Sequence, residues 1–422
     1  MEEKIVELNG YKLHLIKTNK FKDISISVRY KGNLTEHSAA CKSLLANVLL
    51  AGTKSHPTSK DIARYCEELY GLKIGAGVSS FGKAIILRIA SICVNEEFLP
   101  LKDDVIVKQI KLINEVINNP LIENEMFKQS YFDLKQKDYI DNLITMYDDK
   151  FTYSLDKLFT NMGKGQALGI ASNSTVDNIK AITNEMLFEE YKQILKNDEK
   201  DVFVVGDFND SIIDIFRDNL TLIKTNNNYD SYYSFRSERK EVLEIIEKQD
   251  ITQAKMVLGY KTDICIEDDD YFSLKLLNDI FGGNSQSRLF LNIREKNSMC
   301  YFINSFYDSF NGILGVLAGI NDEDYHKVKE MVKEELNDLK QGNISDDEIA
   351  LSKNNLINNF LKGFDNPAGI MSNYYSEELS GTPIMEKSIE LINNVSREDL
   401  IRVASKLELD TIYLLSGGDI NG

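Results

Sequence analysis

The residues best suited to metal chemistry in this sequence are four histidines, and they are widely separated. The stretch Asn33-Leu-Thr-Glu36-His37 is one substitution away from His-x-x-Glu-His. On a helix, that pattern places two imidazoles one turn apart to bind zinc, with the Glu acting as a base. Here it directly follows a predicted strand, so we interpret Glu36 as a turn or cap residue and predict no zinc site. The remaining histidines stand alone in the sequence: His14, His56 and His326.

Five cysteines are the other candidates for chemistry, and their number is odd. No two of them form Cys-x-x-Cys, and none has a recognisable nucleophile context. This pattern is typical of reduced, mostly buried thiols in the cytosol, and it disfavours a disulfide framework, a zinc clip or a thiol enzyme. The five are Cys41, Cys66, Cys93, Cys265 and Cys300.

Length and charge narrow the class of protein. A chain of 422 residues with 43% apolar residues predicts about two to three globular domains. The net charge of −17 disfavours nucleic acid and anionic membranes as partners and is compatible with cationic peptides. The N-terminus has no basic region followed by an apolar run, and the most apolar stretch, residues 84–94, is interrupted by Arg88. We therefore expect a cytoplasmic protein with no membrane insertion.

The order of predicted elements indicates a diverged duplication. Residues 23–33 alternate in apolar character and predict a strand, and residues 38–50 predict a helix whose end is marked by Gly52. The second half repeats this order with a strand at 252–260 and a helix at 271–281. Later elements also pair: 62–70 with 289–296, 75–80 with 300–307, 84–92 with 313–320, 99–119 with 323–340, 184–195 with 396–406, and 201–205 with 411–416. A chance match of this many elements in order is improbable.

The two copies define the domain organisation. The segment that begins at Lys224 is polar and aperiodic and is typical of a linker. We place the domains at 1–222 and 243–422, joined by a linker at 223–242. Strands and helices do not alternate strictly, which favours an α+β fold over a parallel α/β sheet.

At this level the chain resembles the M16 peptidase family, which includes insulinase, pitrilysin and mitochondrial processing peptidase. The similarity covers essentially the whole chain and is greatest to a group within the small two-domain bacterial branch that lacks the metal motif. It implies two homologous M16-type domains, each with a mixed antiparallel sheet and packed helices, in a clamshell arrangement. The residues that carry it are Gly32–Glu36, Ala51–Thr53, Glu68–Gly71, Gly282–Phe290 and Arg294–Tyr301.

The resemblance also implies where a metal site would lie. Counting back from Gly52-Thr53, the family's zinc-binding helix would place His, Glu and His at Ser43, Ala46 and Asn47. None of these three side chains can fill the role. The third ligand, a distant Glu, would lie on the helix after Phe127, which offers Lys135, Gln136, Lys137 and Asp138. We expect no metal in this chain.

The sequence does contain a second family signature, an Arg and a Tyr that bind the oxyanion of the reaction intermediate. In M16 enzymes an Arg and a Tyr at the spacing of Arg294 and Tyr301 bind the substrate carbonyl and stabilise the tetrahedral intermediate. In two-chain members one subunit carries zinc and its partner carries this pair. The resemblance thus implies a non-zinc subunit acting in trans on a peptide, beside a homologous M16 subunit that carries His-x-x-Glu-His and the zinc.

Two points stay open from the sequence. The stretch Gly75-Ala76-Gly77-Val78-Ser79-Ser80 resembles the edge strand to which family substrates add, but an interior strand is an equal alternative. The runner-up function is a catalytically inactive scaffold or peptide-binding assembly subunit, as in the respiratory core proteins of this fold. The sequence does not reveal the substrate, the partner, or whether the chain forms a heterodimer or a homodimer.

Overall fold

The computed structural model describes residues 1, 3–100, 103–233, 235–381 and 386–418, and these form two compact units. Unit one contains Met1–Ile144, Ala171–Asp230 and Asp365–Ser372. Unit two contains Thr145–Ile170, Ser231–Phe364 and Asn373–Gly422. Each unit is therefore built mainly from one half of the sequence and takes a segment from the other. The domain boundaries predicted from the duplicated sequence, at 1–222 and 243–422 with a linker at 223–242, remain a prediction.

Unit one is organised around a six-stranded sheet in the order β1-β2-β8-β3-β5-β4. Strands β2 and β8 are parallel, and the other neighbours are antiparallel. A separate two-stranded ribbon is formed by β6 and β7. The strands are β1 Glu3–Leu8, β2 Tyr11–Lys17, β3 Asp23–Asn33, β4 Lys73–Phe81, β5 Ala84–Val94, β6 Ile122–Glu123, β7 Met126–Phe127 and β8 Glu199–Gly206.

Several of the first-half helices begin at side chains that accept hydrogen bonds from the backbone. Thr35 forms a capping box with Ser38, and Thr58 forms one with Asp61. These caps satisfy backbone N–H groups at the starts of helices Glu36–Val48 (α1) and Ser59–Glu68 (α2). The helices are α1 Glu36–Val48, α2 Ser59–Glu68, α3 Val105–Asn118, α4 Gln129–Met146, α5 Lys150–Met162, α6 Val176–Ala181, α7 Asn184–Asn197 and α8 Ile212–Asn219, with short 3-10 turns at Glu96–Phe98 and Ala167–Gly169. Of these, α5 packs on the sheet of unit two.

Unit two contains a five-stranded sheet in the order β11-β12-β10-β13-β9. Its strands are β9 Leu243–Lys248, β10 Ala254–Lys261, β11 Phe302–Asp308, β12 Ile313–Ile320 and β13 Glu408–Ser416. The second-half helices are α9 Tyr271–Asn278, α10 Tyr325–Lys340, α11 Asp346–Lys362, α12 Pro367–Ser380, α13 Glu386–Asn394 and α14 Arg397–Lys406, with a 3-10 turn at Asp322–Asp324 and π-helical segments at Asp279–Gly283 and Leu289–Lys296.

The two sheets have one topology. The order β9-β13-β10-β12-β11 repeats β2-β8-β3-β5-β4, with the first pair parallel and all later pairs antiparallel in both. Among the described strands of the first sheet, β1 alone lacks a counterpart in the second sheet. The predicted duplication is confirmed at the level of strand order and direction, and so is the α+β fold.

Gly52 was expected to end the first helix, and this detail is wrong. The C-cap of α1 is Leu49, in the right-handed helical region. A Cβ at Gly52 would lie 2.3 Å from the carbonyl oxygen of Pro57, so this position needs glycine for close backbone approach.

The predicted linker has its own contacts in each unit. The Tyr229 N–H donates to Glu199 Oε1 at 2.6 Å in unit one, and the Phe235 side chain is fully buried in unit two. Within the described residues, no helix is both long enough and apolar enough to cross a membrane.

Candidate functional site

The helix positions expected to have lost their metal ligands are engaged inside the protein. Ser43 and Ala46 on α1 are almost fully buried. The Ser43 hydroxyl donates to the Ser172 carbonyl oxygen at 3.0 Å, and Asn47 Nδ2 donates to the Ser43 carbonyl oxygen at 3.0 Å. These groups serve packing and helix hydrogen bonding, and none is presented as a ligand.

Helix α4 covers the same region and gives no third ligand. Tyr139 donates from its hydroxyl to the Asn173 carbonyl oxygen at 3.0 Å, next to the segment that receives Ser43. Gln136 Nε2 donates to the carbonyl oxygens of Ile179 and Ile182, both at 2.8 Å. The neighbouring Lys135 and Asp138 pair with each other at 3.7 Å. The residues at these positions do not fit a zinc ion, because they supply no imidazole or available carboxylate set.

The described histidines do not form an alternative metal site. His37 lies in the first turn of α1, 3.6 Å from Glu190 Oε2, and His56 Nδ1 lies 3.3 Å from Glu115 Oε2. Thr35 is the cap of α1, and Glu36 occupies its first turn. Across the described ranges, no three His, Cys, Asp or Glu side chains come together in a way that could hold a metal ion.

His14 is fully buried on β2 and lies between two carboxylates of unit one. Its Nδ1 is 2.8 Å from Glu3 Oε1, and its Nε2 is 3.4 Å from Asp201 Oδ1. Burial alone would lower the pKa of His14, but hydrogen bonds and charge from Asp201 and Glu3 outweigh it and raise the pKa to about 9. The arrangement therefore favours an imidazolium ion inside the sheet.

Arg294 and Tyr301 both lie in unit two, Arg294 near the end of a helical segment and Tyr301 just before β11. Arg294 is part of the π-helical segment Leu289–Lys296, and its side chain is 40% exposed. Its guanidinium lies 4.6 Å from the centre of the Phe290 ring, and its Nε is 3.7 Å from Glu295 Oε1. Among the described residues, the guanidinium therefore contacts its immediate sequence neighbours Phe290 and Glu295.

Tyr301 directly precedes the edge strand β11. Its N–H donates to the Gly319 carbonyl oxygen at 3.0 Å, so its backbone is fixed to β12. The side chain is 68% exposed, and its hydroxyl has no hydrogen-bond partner among the described residues. The structure does not join this phenol to the Arg294 guanidinium by a hydrogen bond, but both groups remain open to a ligand.

The stretch Gly75–Ser80 lies in β4, which forms one edge of the six-stranded sheet. It pairs only with β5 among the described strands, from Gly75 opposite Ala90 to Ser80 opposite Ile85. The alternative of an interior strand is therefore wrong. A Cβ at Gly75 or Gly77 would have no atom within 4 Å, so the face of the sheet is open at these two positions.

All five cysteines are free and buried, as the sequence predicted. Burial raises the pKa of the Cys41 and Cys93 thiols to about 12 in each case. Because the thiolate is the nucleophile, these two thiols are poorly suited to covalent catalysis.

Sequence reasoning missed a pair of arginines beside β4. Arg29 on β3 lies directly opposite Arg88 on β5, and both line a cavity of about 550 Å³ on this face of the sheet. Arg88 was visible in the sequence as the charge that interrupts the apolar strand 84–94. Its pairing with Arg29 depends on strand register, which the sequence alone does not specify.

Comparisons with known proteins agree with the fold and include relatives that are described as inactive. Residues 181–356, which include Arg294 and Tyr301, match the family model described as "Peptidase M16 inactive domain". The chain is 32% identical to the "Probable inactive metalloprotease YmfF" of Bacillus subtilis (strain 168), over 97% of this chain and 96% of that protein. It is 24% identical to the "Uncharacterized zinc protease YmxG" of the same organism, over 69% of this chain and 72% of that protein. A conserved protein from Enterococcus faecalis V583, solved by crystallography, matches with a TM-score of 0.91 and 29% identity, covering 99% of both chains.

Proposed function

This chain belongs to the peptidase M16 family, and we propose that it is the non-zinc subunit of a heterodimeric M16 metallopeptidase. In this proposal a homologous subunit with His-x-x-Glu-His binds the zinc and hydrolyses the peptide. The present chain supplies donors that bind the substrate carbonyl. It is inactive by itself and contributes to peptide cleavage only with its partner.

The proposal depends on one contrast between two sets of side chains. Ser43 is buried and bonded to the Ser172 carbonyl oxygen, and Ala46 is buried, so the former metal positions serve the interior. Arg294 and Tyr301 instead keep exposed side chains, 40% for Arg294 and 68% for Tyr301, and among the described residues neither side chain is bonded to a distant part of the chain.

The chemistry proposed for these residues is electrostatic. When a carbonyl carbon is attacked, its oxygen becomes negatively charged, and donors already in place lower the barrier. The Arg294 guanidinium and the Tyr301 phenol would donate to that oxygen, and each such donor contributes roughly 3–4 kcal/mol in well-studied cases. Both backbones are held by neighbouring structure: the Ser298 N–H donates to the Arg294 carbonyl oxygen at 3.0 Å, and Tyr301 is tied to β12.

The edge strand β4 supports the same proposal for peptide binding. Its open side offers backbone N–H and C=O groups to an extended peptide, which would add as a further strand. Residues 75–80 are the proposed binding segment. Gly75 and Gly77 have no side chains to obstruct a ligand on the sheet face.

A scaffold subunit is the second candidate. It is favoured by the close packing of the former metal helix, which is what a purely structural role requires. In that case Arg294 and Tyr301 are surface residues without a ligand.

Reconstitution separates the two candidates. A zinc-bearing M16 homologue encoded in the same genome would be assayed on peptides alone, with this chain, and with its Arg294→Ala variant. The proposal expects cleavage only in the mixture and a large loss with Arg294→Ala. Equal cleavage by the homologue alone, or failure of the two chains to associate, would favour the scaffold. The buried thiols fit a reducing compartment, and we propose a cytoplasmic location.

A further inference from the structure

The cavity beside β4 differs in charge from the protein as a whole. The chain carries a net charge of −17, yet the cavity wall contains three cations and no Asp or Glu. The cations are Arg29, Lys73 and Arg88, and the hydroxyls of Ser25 and Ser27 lie near them on β3. All lining residues belong to unit one, including the start of α12 at Asn366–Ala368. A local concentration of positive charge in an acidic protein indicates a site for an anion.

Strand register explains why the cations share one face of the sheet. Arg29 lies opposite Arg88, and Arg88 lies opposite Gly77. Lys73 lies opposite Ile92, two places along β5 from Ala90, which pairs with Gly75. Since side chains alternate along a strand and directly opposed residues point the same way, all three cations project from this face.

Arg29 is the fixed member of the group. Its side chain is buried, its Nε donates to Ser27 Oγ at 3.3 Å, and its Nη2 donates to the Met371 carbonyl oxygen at 3.4 Å. The guanidinium also lies 4.8 Å from the centre of the Phe203 ring. These contacts hold a positive charge at the base of the cavity.

Arg88 and Lys73 are the available members. Both are exposed, and neither side chain makes an ion pair or hydrogen bond with any residue in the described part of the chain. Gly77 and Gly75 leave the β4 side of Arg88 open. An incoming anion could therefore reach the guanidinium without displacing a protein carboxylate.

Two carboxylates that are neighbours of lining residues, in the sheet or in sequence, have partners outside the cavity wall. Asp201, opposite Arg29 on β8, is 3.4 Å from His14 Nε2, and Asp365 is 3.5 Å from Lys20 Nζ. The first turn of α12 adds the positive end of a helix to the same wall. Of the three cations, Arg88 and Lys73 have no carboxylate partner in the part of the chain that the structure describes.

We propose that this cavity, here called the cationic pocket, binds a carboxylate of a peptide that adds to the β4 edge. The substrate class would be extended peptides with an acidic side chain or a free C-terminus near the Lys73 end of the strand. The inference rests on the proposed peptide-binding role, because β4 contributes both the open edge and the pocket wall at Lys73–Ala76. Arginine suits this ligand, since its planar fork matches the two oxygens of a carboxylate.

Peptide binding to this chain alone tests the pocket without a partner subunit. Fluorescence anisotropy would compare four labelled peptides of one extended sequence, with Glu or Gln at one position and with a free or amidated C-terminus. We expect the peptides that keep a carboxylate at the preferred position to bind about tenfold more tightly or better than their neutral counterparts. The Glu/Gln and free/amidated pairs distinguish a side-chain carboxylate from a C-terminal one.

Two variants that change the net charge by the same amount are compared, one inside the pocket and one outside it. Arg88→Glu reverses the charge in the pocket, and Lys83→Glu reverses an exposed charge at the turn between β4 and β5. The pocket predicts that Arg88→Glu abolishes the preference for carboxylate and that Lys83→Glu retains it. Equal binding of acidic and neutral peptides by the unmodified chain, or equal loss in both variants, would overturn the proposal.

The outcomes also separate this inference from the proposed function. If the mixture with the zinc-bearing homologue cleaves acidic and neutral peptides equally well, carboxylate binding by the cationic pocket is rejected and the proposed peptidase function is supported. If carboxylate binding depends on Arg88 but no mixture cleaves, the pocket stands as a peptide-binding site and the peptidase role fails.

Discussion

Ser43 and Ser172 are joined by a 3.0 Å hydrogen bond from the hydroxyl of the first to the carbonyl oxygen of the second, although 129 residues separate them. The bond ties α1 to the segment before α6. Because Ser43 and Ala46 are also almost fully buried, this face of α1 is part of the protein interior.

Restoring the motif on this helix should not restore zinc binding. We expect the triple variant Ser43→His, Ala46→Glu, Asn47→His to bind no stoichiometric zinc, because α4 supplies no third ligand and Ser43 lies in packed surroundings. Metal content after dialysis is the measurement, with the unmodified chain as control. One tightly bound zinc per chain would contradict the description of this helix as purely structural.

Replacement of Arg294 by Ala should reduce catalysis in the reconstituted pair. We expect kcat/KM to fall on the order of 10²-fold or more, with unchanged association between the subunits, because the loss concerns the transition state. Lys296→Ala is the matched control, since Lys296 is an exposed cation of the same helical segment. Tyr301→Phe should act in the same direction without loss of stability, because its hydroxyl is exposed. Similar rates for Arg294→Ala and Lys296→Ala would argue against an oxyanion role.

The elements were predictable from the sequence to the extent that they follow local patterns. Strands β3 and β12 begin and end at the predicted residues, Asp23–Asn33 and Ile313–Ile320. Apolar residues alternate along β3, and β12 is a short, continuous apolar run; both patterns are local signals. The segment Leu289–Lys296 was predicted as a helix, but its π-helical hydrogen bonding has no comparable signal.

The contacts that define the sites were not predictable in the same way. His14 meets Asp201, and Arg29 meets Arg88, only because strands distant in sequence pair in one register. A shift of one residue would place these side chains on opposite faces. The sequence likewise left open whether β4 is an edge or an interior strand, since one strand's pattern does not specify its neighbours.

The buried imidazolium of His14 should make stability depend on pH. Its pKa is raised from about 6.5 in the unfolded chain to about 9 in the folded protein, so folding binds a proton between these values. The stabilisation, on the order of 3 kcal/mol, is fully present below the unfolded pKa and is lost as pH rises through about 9. Urea unfolding at pH 6, 7.5 and 9 would measure it.

The comparison for this prediction is between two His→Gln variants. His14→Gln should be much less stable than the unmodified chain at pH 6, with the difference shrinking towards pH 9. His326→Gln changes an exposed histidine and should follow the unmodified chain throughout. A deficit for His14→Gln that is the same at every pH would mean that packing against Phe203, not charge, dominates.

Lys42 and Asp198 form a buried ion pair under α1, with Nζ 2.5 Å from Oδ2. Lys42 also donates to the carbonyl oxygens of Tyr30 and Ile85. Burial lowers the pKa of Lys42 and raises the pKa of Asp198, while their attraction opposes both shifts. Removal of one partner leaves the other buried and uncompensated, so Lys42→Met should cost about 3–5 kcal/mol of unfolding free energy.

The double variant Lys42→Met, Asp198→Leu isolates the interaction between the two. Because it removes both charges, we expect it to be less destabilised than the sum of the single variants. Chemical denaturation of all four proteins provides the cycle. Strict additivity would show that the carbonyl contacts of Lys42, and not its pairing with Asp198, account for its contribution.

The open edge of β4 can be tested with proline at two adjacent positions. In an edge strand, successive residues direct their N–H groups alternately to the neighbouring strand and to the open side. Proline has no N–H group. One of the two variants Ala76→Pro and Gly77→Pro therefore removes a backbone hydrogen bond to β5, and the other removes only an N–H group that points to the open side of the strand. We expect one variant to keep a melting temperature near that of the unmodified chain and yet to lose binding of the labelled peptide. Full peptide binding by that folded variant would mean that peptides reach the cationic pocket without adding to β4.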